Sequence, residues 1–134
     1  MELSIRPTES PDCDANNNWR IVMLKGDAGL GVSFVLEQNL AVAARVQTAA
    51  GEYAITSPGP VRLGRWTHLA VAYEETTGRM ELWLDGALAK VAAHPPSPLA
   101  PPSGQFTFGG PVGAAATCPA AAGSFVGELR DFDV

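Results

Sequence analysis

The sequence is poor in charge, in histidine and in cysteine. Only 17% of its 134 residues are charged and 46% are apolar, which favours one packed core over disorder. Nine Lys and Arg against 14 Asp and Glu give a net charge of −5, which argues against nucleic acid or anionic lipid as a partner. No apolar run approaches the roughly 20 residues of a membrane-inserted helix. The opening segment MELSIRP is polar and strand-like, unlike a secretion signal.

The two cysteines, Cys13 and Cys118, exclude a Cys-rich zinc site because they are few, far apart and without a nearby histidine. A disulfide between them would close a loop of roughly 100 residues and contribute about 4–5 kcal/mol by loop entropy. The alternative is two free thiols in a reducing compartment. The disulfide interpretation implies an extracellular or periplasmic location, where such bonds persist.

Turn residues divide the chain into short apolar segments. The 14 Gly and 11 Pro favour turns over long helices. Strands are predicted in MELSIR, WRIVMLKG, GVSFVLE, LAVAARVQT and EYAITS, with the last one ended by Pro58 and Pro60. Prolines from Pro95 to Pro102 predict an extended surface loop. Eight or more strands at this spacing predict an all-β, two-sheet antiparallel β-sandwich or jelly roll, as a single domain over residues 1–134.

The clearest hairpin joins WTHLAVAYE (66–74) to RMELWLD (79–85). Burial selects the register in which Tyr73 opposes Met80, because one face of the hairpin is then wholly apolar. The pair Asp85-Gly86, which begins at the last residue of this segment, predicts a two-residue turn that sets Glu81 opposite Lys90. An irregular apolar spacing near the end of the chain predicts a β-bulge at residues 130–131.

The apolar faces of these strands predict the core. Its expected members are Leu3, Ile5, Val22, Leu24, Phe34, Leu69, Val71, Tyr73, Leu82, Leu84, Phe106, Phe108, Leu129 and Phe132.

The block WTHLAVAYEETTGRMELWLDGALAKV resembles the centre of laminin-G-like domains, which belong to the concanavalin A-like lectin/glucanase sandwiches. It supplies their Trp, His, Gly and Asp-Gly pattern with Trp66, His68, Gly78, Asp85 and Gly86. LSIRP and VMLKGD are similar to the family's early strands, and QFTFGG and GELRDFDV to its closing strands. The resemblance implies a non-catalytic recognition or adhesion module of a secreted protein. Such a module binds glycan or an extracellular protein through loops or the concave sheet face.

The resemblance also implies one more strand ahead of LSIRP, which this chain does not supply. A trimmed chain, a short form of the domain, or an edge covered by a partner chain would each account for this. The last possibility makes a structural or assembly domain, a homo-oligomer paired through an open sheet edge, the alternative function. In the family's fold the early strand that LSIRP resembles and the final strand lie antiparallel in one sheet, which would bring Cys13 and Cys118 to the same end of the sandwich.

The hairpin carries four candidate ligand-binding residues, which are Trp66, His68, Trp83 and Asp85. The predicted register places His68 beside Asp85 and Ala70 beside Trp83, with Trp66 on the same outer face. A Trp next to small Ala residues can stack on a sugar ring. The alternative is that a neighbouring loop covers these side chains.

The segment DCDANNN offers oxygen ligands at alternating positions, as half of a calcium loop does. The candidate calcium ligands are Asp12, Asp14 and Asn16, with Asp27 from another loop. The alternative is an Asx-rich turn whose side chains bond the local backbone.

Catalysis is not expected. Related glucanases carry paired carboxylates in an E-x-D-x-x-E arrangement, which this sequence lacks. The carboxylates Glu128, Asp131 and Asp133 near the chain end are expected to be solvated charges on a strand.

If the loop at residues 12–16 binds calcium, a thermal melt of the oxidised protein will show it. Calcium at about 100 times its Kd adds roughly 2.7 kcal/mol to the free energy of unfolding, and so raises the Tm by several degrees over a melt with chelator. An Asp14→Asn variant should lose this shift. Equal melting temperatures with calcium and with chelator would contradict a tight site.

Overall fold

The computed structural model describes residues 1–9, 19–25, 31–37, 39–101, 106–109 and 125–133, and these residues form ten strands. The strands are β1 (Glu2–Pro7), β2 (Trp19–Lys25), β3 (Val32–Glu37), β4 (Ala41–Thr48), β5 (Gly51–Pro60), β6 (Thr67–Glu74), β7 (Arg79–Leu84), β8 (Ala87–Ala93), β9 (Phe106–Phe108) and β10 (Gly127–Asp133). Within the described ranges, no helix has the length and apolar character needed to cross a membrane.

The strands form two antiparallel sheets of five, which confirms the predicted β-sandwich. Sheet A has the order β10-β1-β6-β7-β8, and sheet B has the order β5-β4-β3-β2-β9. The pairing of β1 with β10 joins the two ends of the chain, as the family resemblance implies. The Ala-rich segment of β4 is a strand because β3 and β5 pair with it on both sides.

The core lies between the inner faces of the two sheets. Leu3, Leu69 and Leu82 of sheet A are fully buried, as are Phe34 and Val42 of sheet B. Burial of one such side chain stabilises the fold by about 1.5–3 kcal/mol. The predicted core residues that the structure buries are Leu3, Ile5, Val22, Phe34, Leu69, Val71 and Leu82. Tyr73, Leu84 and Leu129 are partly buried against the core. The side chain of Leu24 lies outside the part that the structure describes.

The prediction that Phe108 and Phe132 belong to the core is wrong. They are 39% and 56% exposed, and Phe106 is half-buried. Phe108 and Phe132 lie on the edge strands β9 and β10, where their ring centroids are 5.0 Å apart. An edge strand has a neighbour on one side only, so one flank of each ring stays in water.

The register of the β6–β7 hairpin is the one that burial predicts. Tyr73 pairs with Met80, Val71 with Leu82 and Ala70 with Trp83. Asp85 and Gly86 both have positive φ, 50° and 78°, as a two-residue hairpin turn requires.

The predicted pairing of Glu81 with Lys90 is wrong. A bulge between Leu82 and Trp83 shifts the β7–β8 register by one residue, so that Leu82 faces Lys90 and Glu81 faces Val91. The bulge expected near residues 130–131 is confirmed, since the β1–β10 register shifts there and Asp131 has a φ of 53°.

Both proline-rich segments differ from expectation. Strand β5 does not end before Pro58 but continues to Pro60, because β5 is the edge of sheet B and needs no donors on its free side. The described part of the later segment runs along β4, where the N–H of Ala49 donates to the carbonyl of Pro98. Ser97 is buried there, so this loop is not wholly on the surface.

Two glycines in the hairpin turns of sheet A give a matched test of backbone packing. Gly78 and Gly86 have φ of +70° and +78°, but a Cβ at Gly78 would overlap the backbone carbonyl of His94, whereas a Cβ at Gly86 meets nothing within 4 Å. Gly86→Ala should therefore lower the free energy of unfolding by about 1–2 kcal/mol through strain alone. Gly78→Ala should lower it by about 1–3 kcal/mol more through the clash. Urea unfolding measures both, and equal losses would contradict the packing at Gly78.

Candidate functional site

The outer face of sheet A carries the side chains that alternate with the core. Leu3 and Ile5 point inward from β1, so Glu2, Ser4 and Arg6 point outward. The same alternation on β6 and β7 sends His68, Ala70 and Trp83 to this face, as the sequence predicts.

A groove of about 390 Å³ crosses this face, and short side chains form its floor. Ala70 pairs with Glu2 on one side and with Trp83 on the other, so that two long side chains flank a short one. Ala72 extends the floor along β6. We call this feature the Trp83 groove. The residues that line it are Met1, Glu2, Ala70, Val71, Ala72, Trp83 and Asp133.

A chain of hydrogen bonds fixes the orientation of Trp83. Its indole N–H donates to Oε2 of Glu81 at 3.2 Å. The other oxygen of Glu81, Oε1, accepts from Nε and Nη2 of Arg79 at 2.7 and 2.6 Å. The only donor of the indole is therefore engaged, and the half-buried ring borders the groove as a preorganised apolar surface.

Trp66 lies on the same face but contacts cations of its own chain. The guanidinium carbon of Arg130 is 4.0 Å from its ring centroid, and that of Arg6 is 5.4 Å away. Arg6 pairs with Glu128, and Arg130 pairs with Asp131 at 3.1 Å. These contacts form an aromatic and charged cluster that is separate from the residues lining the Trp83 groove.

His68 and Asp85 meet as the register predicts, and the contact joins the backbone of His68 to the backbone and carboxylate of Asp85. Oδ1 of Asp85 accepts from the backbone N–H of His68 at 2.8 Å, and the N–H of Asp85 donates to the carbonyl of His68 at 2.8 Å. Asp85 thereby stabilises the end of the β6–β7 hairpin. Nε2 of His68 lies 3.7 Å from Oε2 of Glu2, which places His68 beside the groove.

Of the four predicted ligand-binding residues, only Trp83 lines the groove. His68 contacts the lining residue Glu2, and Trp66 and Asp85 are not among the lining residues. Glu2 and Asp133 are not among the residues that the sequence predicts for ligand binding. They come together because β1 pairs with β10, in a register that sets Glu2 opposite Asp133. The sequence signal for this contact is weak. It consists of the places of Glu2 and Asp133 on the first and last predicted strands, which the family resemblance pairs.

The predicted calcium ligands Asp12, Asp14, Asn16 and Asp27 lie outside the described residues, as do Cys13 and Cys118. Among the residues that the structure does describe, no group of three His, Cys, Asp or Glu is placed to hold a metal ion.

Comparison with known proteins identifies the family. Residues 5–134 match the laminin G group of the concanavalin A-like lectin/glucanases superfamily. The chain belongs to this family. This confirms the resemblance carried by the β6–β7 hairpin. A search of curated proteins found no match to the laminin-G-like chain.

Solved structures share the fold at low identity. The native heptameric SAP-like pentraxin of Limulus polyphemus has a TM-score of 0.63 and 18% identity, over 97% of this chain and 59% of its own. The CBM40 of the Ruminococcus gnavus IT-sialidase, bound to α2,3 sialyllactose, has a TM-score of 0.62 and 13% identity, over 94% and 68%. Domains LG4-5 of the mouse laminin α1 chain have a TM-score of 0.62 and 20% identity, over 96% and 32%. The laminin-G-like chain thus spans about a third to two thirds of the length of these structures.

Proposed function

We propose that this laminin-G-like domain is a non-catalytic recognition module that binds a glycan in the Trp83 groove. The observation that carries the proposal is an indole held in place by Glu81 at the side of a groove with an alanine floor. A sugar ring needs a flat apolar surface for its C–H face and polar groups around its rim. The ring of Trp83 supplies the surface, and the carboxylates of Glu2 and Asp133 supply the rim.

The relatives support this proposal at the level of ligand class. The CBM40 structure is that of a domain bound to sialyllactose. We propose by the same likeness an extracellular or periplasmic location, and a non-catalytic role because the sequence lacks the E-x-D-x-x-E arrangement of related glucanases. A bound protein ligand is the alternative for the same groove.

Two tryptophans on one sheet face allow a matched test of glycan binding. After a glycan array selects a ligand, titration calorimetry should show that Trp83→Ala weakens its Kd roughly tenfold or more, as expected for a central aromatic contact. Trp66→Ala removes an equal ring outside the groove and should leave the Kd nearly unchanged. Thermal melts confirm that both variants fold. An array without any bound glycan, or loss of binding only in Trp66→Ala, would contradict the proposal.

An assembly role through a sheet edge is the second candidate, and strand β8 is the edge that favours it. Edge strand β5 carries Pro58 and Pro60, and β9 has only three residues. Four of the seven residues of edge strand β10 are charged, which opposes pairing with another chain. Strand β8 has seven residues and, despite its bulge and Lys90, exposes the apolar side chains of Leu88 and Val91. An exposed strand of this kind can pair with the same strand of a second copy about a two-fold axis.

Sedimentation velocity over a range of concentrations tests this pairing. The assembly role predicts a dimer that Val91→Lys dissociates by placing a charge on the pairing edge. Leu63→Lys is the control, because Leu63 is equally exposed but lies outside the strands. A monomer at all concentrations would exclude the assembly role.

A further inference from the structure

A row of paired residues connects the Trp83 groove to strand β8, the free edge of sheet A. Four of its five members line the groove, and the fifth is Leu88. From β10 to β8, the members of the row are Asp133, Glu2, Ala70, Trp83 and Leu88. Residues paired in this way place their side chains on the same face of a sheet. The outer face therefore continues past Trp83 onto Leu88.

The row changes from polar to apolar along its length. Glu2 and Asp133 carry carboxylates at the β10 end. At the β8 end, the ring of Trp83 is followed by Leu88, which is 44% exposed. Leu88 thus extends the apolar surface that the indole begins, and a continuous apolar surface is a mark of a binding site.

A β-bulge places a second apolar side chain beside Leu88. Without the bulge, the two-residue turn would set Lys90 opposite Glu81 on the outer face. The bulge puts Val91 opposite Glu81 instead, and Val91 is 43% exposed. Both carboxylate oxygens of Glu81 already accept hydrogen bonds. Leu88 and Val91 form an exposed apolar surface next to the groove, which we call the β8 patch.

The β8 patch is too small to act as a protein interface by itself. A stable interface buries about 800 Å² per partner, from about 20–30 residues. The patch has two aliphatic side chains, each less than half exposed. Its size suits a short apolar group that belongs to a ligand held in the adjoining groove.

An alkyl or acyl group suits the patch better than a further sugar ring does. Every side chain that β8, a strand described in full, places on this face is apolar. The hydroxyls of a sugar ring over the patch would therefore find no side-chain partner on β8. An alkyl chain loses no hydrogen bond when it leaves water, and it gains the hydrophobic contact.

We propose that the β8 patch binds a short alkyl or acyl substituent of the glycan that occupies the Trp83 groove. The ligand is then an amphipathic glycan, with hydroxyl groups toward Glu2 and Asp133 and its apolar group over Leu88 and Val91. This inference rests on the proposed function, since it names the ligand class of the same groove. Its physical origin is the hydrophobic effect, which grows with the apolar area that ligand and patch remove from water.

Alkyl glycosides of increasing chain length test the patch. Titration calorimetry compares methyl, butyl and hexyl glycosides of glucose, galactose and N-acetylglucosamine, at concentrations below micelle formation. For at least one sugar, the hexyl form should bind roughly tenfold or more tightly than the methyl form, because each fully buried methylene strengthens binding up to about fourfold. Equal Kd values for the methyl and hexyl forms, or no binding of any hexyl glycoside, would overturn the inference.

Two equally exposed leucines provide matched variants. Leu88→Ser should reduce the advantage of the hexyl over the methyl form severalfold and leave the Kd of the methyl form nearly unchanged. Leu63 is 45% exposed but lies outside the strands, so Leu63→Ser should preserve the full advantage. Thermal melts confirm that both variants fold. An advantage that Leu88→Ser leaves unchanged would show that the alkyl chain binds elsewhere, against the inference.

Trp83→Ala separates this inference from the proposed function. The variant should weaken binding of all three forms, since the ring of Trp83 holds the sugar. If it weakens binding but chain length has no effect in the unaltered protein, the inference alone fails. If glycan binding does not depend on Trp83, the proposed function and the inference fail together. A Leu88-dependent dimer that persists with hexyl glycoside present would show that a second copy covers the patch, and would also overturn the inference.

Discussion

The register of the β6–β7 hairpin is the constraint on which the rest of sheet A depends. It is set by burial, because only one alignment turns Leu69, Val71 and Leu82 to the same side. Since side chains alternate along a strand, the same alignment sends Ala70 and Trp83 to the opposite side. The same strand pairing therefore forms both the core and the floor and wall of the groove. A shift of the β6–β7 register by one residue would disrupt both.

The groove is completed by a second pairing, between strands that lie far apart in sequence. Strand β1 inserts between β10 and β6, so the chain ends lie next to the central hairpin. This brings Glu2 and Asp133 to the side of Ala70 that faces away from Trp83. An aromatic wall and an acidic rim thus come from three separate segments. This arrangement also depends on the bulge at Asp131. The bulge changes which side chains of β10 point to the outer face before the last residues of the strand.

Trp66 and Trp83 illustrate how tertiary contacts divide similar residues between roles. Both are aromatic side chains on the outer face of one sheet, and the sequence does not distinguish them as ligand contacts. The structure places two guanidinium groups at the ring of Trp66, while it anchors only the N–H edge of Trp83. The preorganised ring beside the groove is therefore Trp83, and the difference lies in neighbours that β1 and β10 contribute.

The sequence by itself determined most of the strands, the hairpin register and the turn at Asp85, because each depends on local periodicity, turn chemistry and burial. The family came from a resemblance, carried by the Trp, His, Gly and Asp-Gly pattern of the hairpin. The sequence did not determine the exposure of Phe108 and Phe132, the shift that sets Leu82 opposite Lys90, or the meeting of Glu2 with Asp133. Those features depend on which strands form sheet edges, where bulges reset the register, and which distant strands pair. Only the tertiary structure decides these, since local periodicity carries no information about a strand's neighbours.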